Sequence, residues 1–320
     1  MTRTFSVVIP LYNSGSYVRR CLSSVEAQTL RPHEVIVVDD GSTDGSAELV
    51  AEEFPQIVLI RQENQGVAAA RNRGIAQASS DWIAFLDSDD YWFANHLQEL
   101  AQIRSDFGDA KLVSTAFCRW IEGQETPLAK PRTRSRRIDY FREAAFDIGI
   151  VCSSSAAAAK EQLDKVGAFP AFGSGEDLAC WAALALDEPV AVSDAVTAVY
   201  VQHPTSAMAL QTAQPLPNRV APEATYDQVG PSTAVAARAL ATGPHLASSS
   251  AISLYVDSRI NSAIRHALLT DDRSRVDALQ RLRTQPFRSE YWTLHVAERL
   301  PNWLLQQYRR ARRRANHLER

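Results

Sequence analysis

Apolar and polar positions alternate in blocks over the first 120 residues. "FSVVIPL" (5–11) is a short apolar run rich in β-branched residues, which predicts a buried strand. Residues 16–28 keep helical spacing through Val18, Leu22 and Val25. "EVIVVDD" (34–40) predicts a second strand. Its exit, "DDGSTDGS", is a turn with Ser42, Thr43 and Asp44 as candidate caps for the next helix. "QIVLIRQ" (56–62) predicts a third strand. "NQGVAAARNRGIAQAS" begins as a turn and continues as an alanine-rich helix, and "DWIAFLD" (81–87) predicts a fourth strand.

This alternation predicts an α/β fold with a doubly wound, mostly parallel sheet. Ligands of such sheets bind outside the carboxyl ends of the strands. Asp39 and Asp40, Gln62 to Asn64, and Asp87 to Asp90 all fall at those ends, so they should share one rim. Residues 110–121 predict another strand, and "AKPRTRSRRIDYFRE" begins as a basic loop. A mixed region follows to about residue 208, with helical "EQLDKVG", the turn "FPAFGSGED", helical "LACWAALAL" and strand-like "AVTAVYVQ". The expected domain is residues 1–208. Pro215, Pro217, Pro222 and Pro231 mark 209–234 as a linker. Residues 235–320 form a helical extension, with one apolar stripe through Ile252, Tyr255, Val256, Ile260, Ile264 and Leu268 and a shorter one through Val276, Leu279 and Leu282.

Composition adds little to this. The 320 residues are 45% hydrophobic and 22% charged, and a formal charge of -3 gives no global case for a nucleic-acid partner. Cys21, Cys118, Cys152 and Cys180 are far apart, without metal or disulfide spacing, so a reduced cytosolic setting is expected. The N-terminal apolar run is short and broken by Pro10, unlike a signal peptide. No stretch reaches the roughly 18 apolar residues of a membrane span. The expectation is a cytoplasmic protein, soluble or peripheral on the inner face of the cell membrane.

The chemistry concentrates in "FLDSDDYW" (85–92), with Asp87, Asp89 and Asp90 within four positions. On an extended strand end Asp87 and Asp89 point to one side, roughly 7 Å apart at about 3.3 Å per residue. Such a pair can hold Mg²⁺ or Mn²⁺, hard ions that take oxygen ligands and share them with substrate phosphates. The alternative is an acidic turn capping a helix that begins near Phe93.

"VVIPLYN" (7–13), "EVIVVDDGSTDGS" (34–46), "NQGVAAARNRGI" (64–75), "IAFLDSDD" (83–90) and "GEDLACW" (175–181) stand in an order that resembles the family 2 glycosyltransferases, inverting enzymes of the GT-A fold. The likeness runs from residue 5 to about 206. It implies a nucleotide-diphosphate sugar donor, with a metal ion between diphosphate and acidic motif. Asp90 is then the expected direct metal ligand, Asp89 a ribose or metal contact, and Asp87 a support for the loop. Pro10, Leu11, Tyr12 and Asn13 fall where the nucleotide would lie. Asp40 could accept the imino proton of a uracil-like base, favouring a UDP or dTDP donor, although Asp39 and Asp40 also suit turn capping. Asn64 and Gly66 lie at the helix entry, whose N-terminus favours anions. Arg71 would reach the base or diphosphate, or else cover a solvated helix face. His203, in "YVQHPTSAM", would contact the metal or diphosphate, or else serve as a turn residue.

The resemblance makes Asp177 the general base of a single displacement, with Glu176 assisting the acceptor. In an arbitrary helix start the two would only cap it or favour its dipole. Cys180 stands where relatives often carry another acidic residue, which bears on the acceptor pocket. The acceptor is expected to be a saccharide or lipid-linked saccharide, in cell-surface polysaccharide, lipopolysaccharide or glycolipid synthesis. At the C-terminus, Leu304, Tyr308, Ala311, Ala315 and Leu318 keep one face, and Arg309, Arg310, Arg312, Arg313 and Arg314 crowd the rest. That pattern suits an anionic membrane surface, a solvated helix or a subunit contact. Two other classes compete. One is a catalytically silent GT-A domain acting as a binding or scaffold subunit. The other is a dinucleotide-binding oxidoreductase, disfavoured because "PLYNSGS" replaces a GxGxxG after the first strand.

Overall fold

The computed structural model describes residues 5–171, 175–203, 231–242, 249–270 and 273–282, with Val229 and Leu246. The chain divides into two compact units, Met1–Pro215 and Leu216–Arg320.

In the first unit the strands are β1 (Ser6–Leu11), β2 (Glu34–Asp39), β3 (Val58–Arg61), β4 (Trp82–Phe85), β5 (Tyr91–Trp92), β6 (Leu112–Ile121), β7 (Ser135–Ile138), β8 (Ala156–Ala159) and β9 (Val190–Gln202). The helices are α1 (Gly15–Glu26), α2 (Ser46–Glu53), α3 (Val67–Gln77), α4 (His96–Asp106), α5 (Tyr140–Ala144), α6 (Lys160–Val166) and α7 (Glu176–Asp187). The strands form one sheet in the order β3-β2-β1-β4-β8-β6-β9-β5, with β7 on β9. The first four are parallel, as the alternation predicts. Beyond β4 the sheet is mixed. β8 runs antiparallel to both β4 and β6, β9 parallel to β6, and β5 and β7 antiparallel to β9.

β1 is buried along its whole length because both faces are covered. Val7, Ile9 and Leu11 join Val18, Leu22 and Val25 of α1 in the main core. Val8 meets α3, where Gly74 permits close approach: a Cβ there would sit 2.4 Å from Val8 Cγ1. A parallel strand covered on both faces reads as a continuous apolar run.

Two strands fall in segments with no strand signal. β8 is four alanines, all buried. Alanine favours helices, and this strand depends on partners on both sides. β7 lies in the basic segment, where pairing with β9 gives the sheet a charged margin.

In the second unit α8 is Pro231–Thr242, α9 Ser250–Thr270 and α10 Arg273–Gln280. Ile252, Tyr255, Val256, Ile260 and Ile264 of α9 are buried, as the stripe predicts, and so are Val276 and Leu279 of α10. The Tyr255 hydroxyl donates to Ser232 Oγ at 2.7 Å, tying α9 to α8. Pro231 opens α8, a favoured place for proline, so a helix begins inside the segment read as linker. Most of that segment and all of 301–320 lie outside the described residues. Among the described residues no helix is long and apolar enough to cross a membrane.

Candidate active site

The rim begins where β1 and β2 end side by side, with Leu11 opposite Asp39. Tyr12 follows, about half exposed, and offers its ring to solvent. Asn13 adopts a positive φ of 48°. Its Oδ1 accepts from the Thr43 N–H at 2.8 Å, and its own N–H donates to Ser42 Oγ at 3.0 Å. Asn13 thus fastens the first loop to the second. Pro10 is buried within β1.

Asp39 and Asp40 are both buried. Asp39 Oδ1 accepts from the Ser42 N–H at 3.0 Å. Asp40 accepts from the N–H groups of Gln65 and Gly66 and from Gln62 Nε2, each at 2.8 Å. The hydrogen bonds of the pair are therefore those of turn and helix capping. They shape the loop carrying exposed Asn64 and set Gly66 at the start of α3.

Arg71, one turn into α3, does not cover a solvated face. It is 3% exposed, lies 5.2 Å from the Phe169 ring, and divides its fork between two carboxylates. Nη2 donates to Asp87 Oδ1 at 2.6 Å and Nη1 to Glu176 Oε1 at 2.7 Å. Burial disfavours its charge, but Asp87 and Glu176 outweigh that and raise its pKa. Arg71 thereby joins the acidic motif after β4 to the start of α7, more than 80 residues later.

The three aspartates of that motif separate. Asp87 and Asp89 keep 28% of their side chains exposed at the rim. Asp89 Oδ2 meets His203 Nε2 at 3.0 Å, and the His203 ring stacks on Tyr17 at 4.3 Å. His203 is therefore at the motif, as expected. Asp90 turns inward and is 1% exposed. It accepts from the Val201 N–H at 2.8 Å and from the Ser154 hydroxyl. Asp90, the expected direct metal ligand, has one hydrogen bond to each oxygen below the rim, so in this packing Asp87 and Asp89 are the carboxylates of the motif exposed at the rim. Burial and the neighbouring carboxylates raise the pKa of Asp89 and, further, of Asp90.

Glu176 and Asp177 open α7 after Gly175. Glu176 is held by Arg71. Asp177 is partly buried, with Oδ1 accepting from the Leu178 N–H at 2.7 Å and Oδ2 from the Ser153 hydroxyl at 3.3 Å. Burial, then the charge of Glu176, pushes its pKa up to about 6, with Arg71 opposing.

Sequence reasoning missed the connecting turn. Ser153–Ser155 forms one turn of 3-10 helix before β8. Ser153 donates to Asp177 and Ser154 to Asp90, and Ser154 Oγ also accepts from the Asp87 N–H at 3.2 Å. Arg20 was missed too. Its guanidinium lies 5.0–5.7 Å from the rings of Tyr17, Tyr91 and Trp120 and donates to the Asp89 carbonyl at 3.3 Å. "CSSSA" (152–156), three hydroxyls before an apolar run, was the available signal for the turn.

Among the described residues no group of three or more His, Cys, Asp or Glu side chains forms a ready cation cage. Two reachable carboxylates still suit Mg²⁺ or Mn²⁺, which use one or two carboxylates together with substrate phosphates. Burial and mutual repulsion disfavour the charges of Asp89 and Asp90, a cost that a nearby cation would offset.

The Glycosyl transferase family 2 model matches residues 6–167, just over half of the chain. The uncharacterised glycosyltransferase YibD of Escherichia coli (strain K12) is 46% identical over 92 residues, 28% of this chain and 27% of that protein. The succinoglycan biosynthesis protein ExoW of Rhizobium meliloti (strain 1021) is 45% identical over 122 residues, 36% of each. The matches thus span only about a third of those relatives. Among solved structures, S. aureus TarS 1–349 in complex with UDP-GlcNAc superposes with a TM-score of 0.67 at 19% identity, covering 97% of this chain and 90% of that one. The mannosyltransferase PcManGT of Pyrobaculum calidifontis, in complex with GDP-Man and Mn²⁺, gives 0.54 at 18% identity, covering 95% and 88%. The GT-A fold implied by the motifs is therefore the fold of this chain. With its four N-terminal motifs inside the matched segment, the chain belongs to glycosyl transferase family 2.

Proposed function

We propose that the protein is an inverting, metal-dependent glycosyltransferase. It moves a sugar from a nucleotide-diphosphate sugar to an acceptor hydroxyl. The observation that carries the reading is Arg71, which brings the acidic motif and the Glu176–Asp177 pair to one rim. Two neighbours of the same fold were solved with UDP-GlcNAc and with GDP-Man and Mn²⁺. Tyr12 offers a ring face for a base, but Asp40, expected to accept the imino proton of a uracil-like base, already accepts three hydrogen bonds from its own loop, so the UDP or dTDP preference rests on the family resemblance alone. The name of ExoW, a succinoglycan biosynthesis protein, supports polysaccharide synthesis, and the family resemblance adds a saccharide or lipid-linked saccharide as acceptor.

Asp87 and Asp89 would hold Mg²⁺ or Mn²⁺ against the donor diphosphate, with His203 beside Asp89. When bound, the ion supplies Lewis-acid stabilisation of charge developing on the leaving nucleoside diphosphate. The chain's own residues do the remainder. Asp177 takes the proton of the acceptor hydroxyl as the oxygen attacks the anomeric carbon. Its pKa of about 6 leaves it largely ionised at neutral pH yet basic enough to accept. Ser153 and the Leu178 N–H orient the carboxylate. Arg71 pairs with Glu176, so neither side chain is a buried unpaired charge. No enzyme nucleophile is needed for one displacement.

A thermal-shift panel of nucleotide sugars with Mn²⁺, followed by a transfer assay, tests the reading. A donor at 100 times its Kd stabilises the native state by about 2.7 kcal/mol, and EDTA should remove both shift and turnover. Turnover undiminished in EDTA would sink the metal assignment, and no shift by any nucleotide sugar would sink the donor class.

A further inference from the structure

A cleft of about 580 Å³ opens between β6, β7, β9 and the 147–150 segment, lined by none of the site residues described above. Arg119, Arg134 and Arg136 line it, with Asp147 and Asp194. Asp194 is engaged through both oxygens and Asp147 through one. Asp194 accepts from the Thr133 hydroxyl and from the N–H groups of Thr133 and Arg134, both at 2.9 Å. Asp147 Oδ1 accepts from the Gly149 N–H at 3.0 Å. Arg136 is held by Glu143 through two contacts of 2.8 and 3.1 Å. Arg119 and Arg134 remain, both exposed, and among the described residues neither makes an ion pair.

The backbone around Arg134 is built for the position. The β6–β9 ladder pairs Thr115 with Ser193 but Ala116 with Val196, so Asp194 and Ala195 bulge from β9. The bulge captures the basic segment: the Asp194 N–H donates to the Arg134 carbonyl at 3.0 Å, and Val196 and Lys130 exchange backbone bonds at 3.0 and 3.2 Å. Arg134 therefore stands on a fixed backbone, and Arg119 stands on the neighbouring strand β6.

We propose that this cleft binds a phosphate group of the acceptor through Arg119 and Arg134. A carboxylate accepts mainly in its own plane, whereas the tetrahedral oxygens of a phosphate can accept from two forks that lie in different planes. The cleft belongs with the acceptor side because the 147–150 segment runs within three residues into Ser153, the partner of Asp177. Residues 150–153 pass through bends, so Ile150 and Ser153 lie within roughly 10 Å of each other, the scale of one or two sugar units. This inference rests on the glycosyltransferase reading and names the chemistry of its acceptor.

Calorimetric titration of the full-length protein tests it. The probes are bis(glycerol) phosphate as a phosphodiester, inorganic phosphate as the free ion, and glucuronate as a carboxylate. The phosphodiester should bind saturably to the wild type, more weakly as salt rises. It should bind at least tenfold more weakly to the Arg119→Gln/Arg134→Gln variant, whose thermal shift with nucleotide sugar is unchanged. Equal affinity of wild type and variant, or no saturable binding by the wild type, overturns the proposal. So does preference for glucuronate, or binding of inorganic phosphate that the Arg119→Gln/Arg134→Gln variant retains. Failure of the nucleotide-sugar shift in the wild type is a separate readout and sinks the transferase reading itself.

Discussion

Asp177 sits in surroundings that penalise its charge, and in the proposed reaction that penalty would make it the stronger base. Activity limited by an ionised Asp177 should rise with pH and level off above about 6. The stability effect has the opposite sign. A carboxyl whose pKa is raised in the folded state contributes stability below its unfolded value near 4, and that contribution is lost as pH rises through about 6. Asp177→Asn should therefore raise the neutral-pH melting temperature relative to wild type while lowering turnover by roughly 10²-fold or more. Unchanged turnover, or a melting temperature that falls, would move the base elsewhere. At this scale the sequence made the residue types legible, and the extended spacing of "DSDD" put Asp87 and Asp89 on one side, as found; what it did not carry is what holds Asp90 away from the rim. What turns Asp90 inward is Ser154 and the Val201 N–H, 64 and 111 residues away. No local pattern carries such a partner.

Elements were legible where hydrophobic period and turn chemistry agree. The first four strands and their helices follow the blocks of the sequence to within a few residues. β8 and β7 did not, because alanines and arginines become strand only through neighbours already in the sheet. The packing of α3 on β1 is the element-scale contact most exposed to a single change. Gly74→Ala would place a methyl 2.4 Å from Val8 Cγ1, so the helix must shift or the core must strain. Such overpacking costs about 1–3 kcal/mol, and α3 also carries Arg71. Chemical denaturation should show that loss, with Val8→Ala in the same chain restoring much of it through coupling between the two sites. Additive losses from the two substitutions would mean that α3 does not rest on Val8.

On the whole-molecule scale, every group assigned to donor, metal and base lies in the unit Met1–Pro215. The basic pattern of residues 301–320 lies far from it along the chain, so the two can be separated by deletion. Removing 301–320 should leave donor hydrolysis and the nucleotide-sugar thermal shift at wild-type levels. If those residues bind an anionic bilayer, each arginine near the surface contributes about 1 kcal/mol. Five of them, at 309, 310, 312, 313 and 314, would then dominate attachment. Full-length protein should sediment with anionic vesicles and not with neutral ones, and salt should release it because the attraction falls off within a Debye length. The truncated protein should stay in the supernatant with its hydrolysis intact. A lipid-linked acceptor would be reached from such a position without a membrane-spanning helix. Equal sedimentation of the two proteins, or none by either, would assign the arginines to solvent or to a subunit contact.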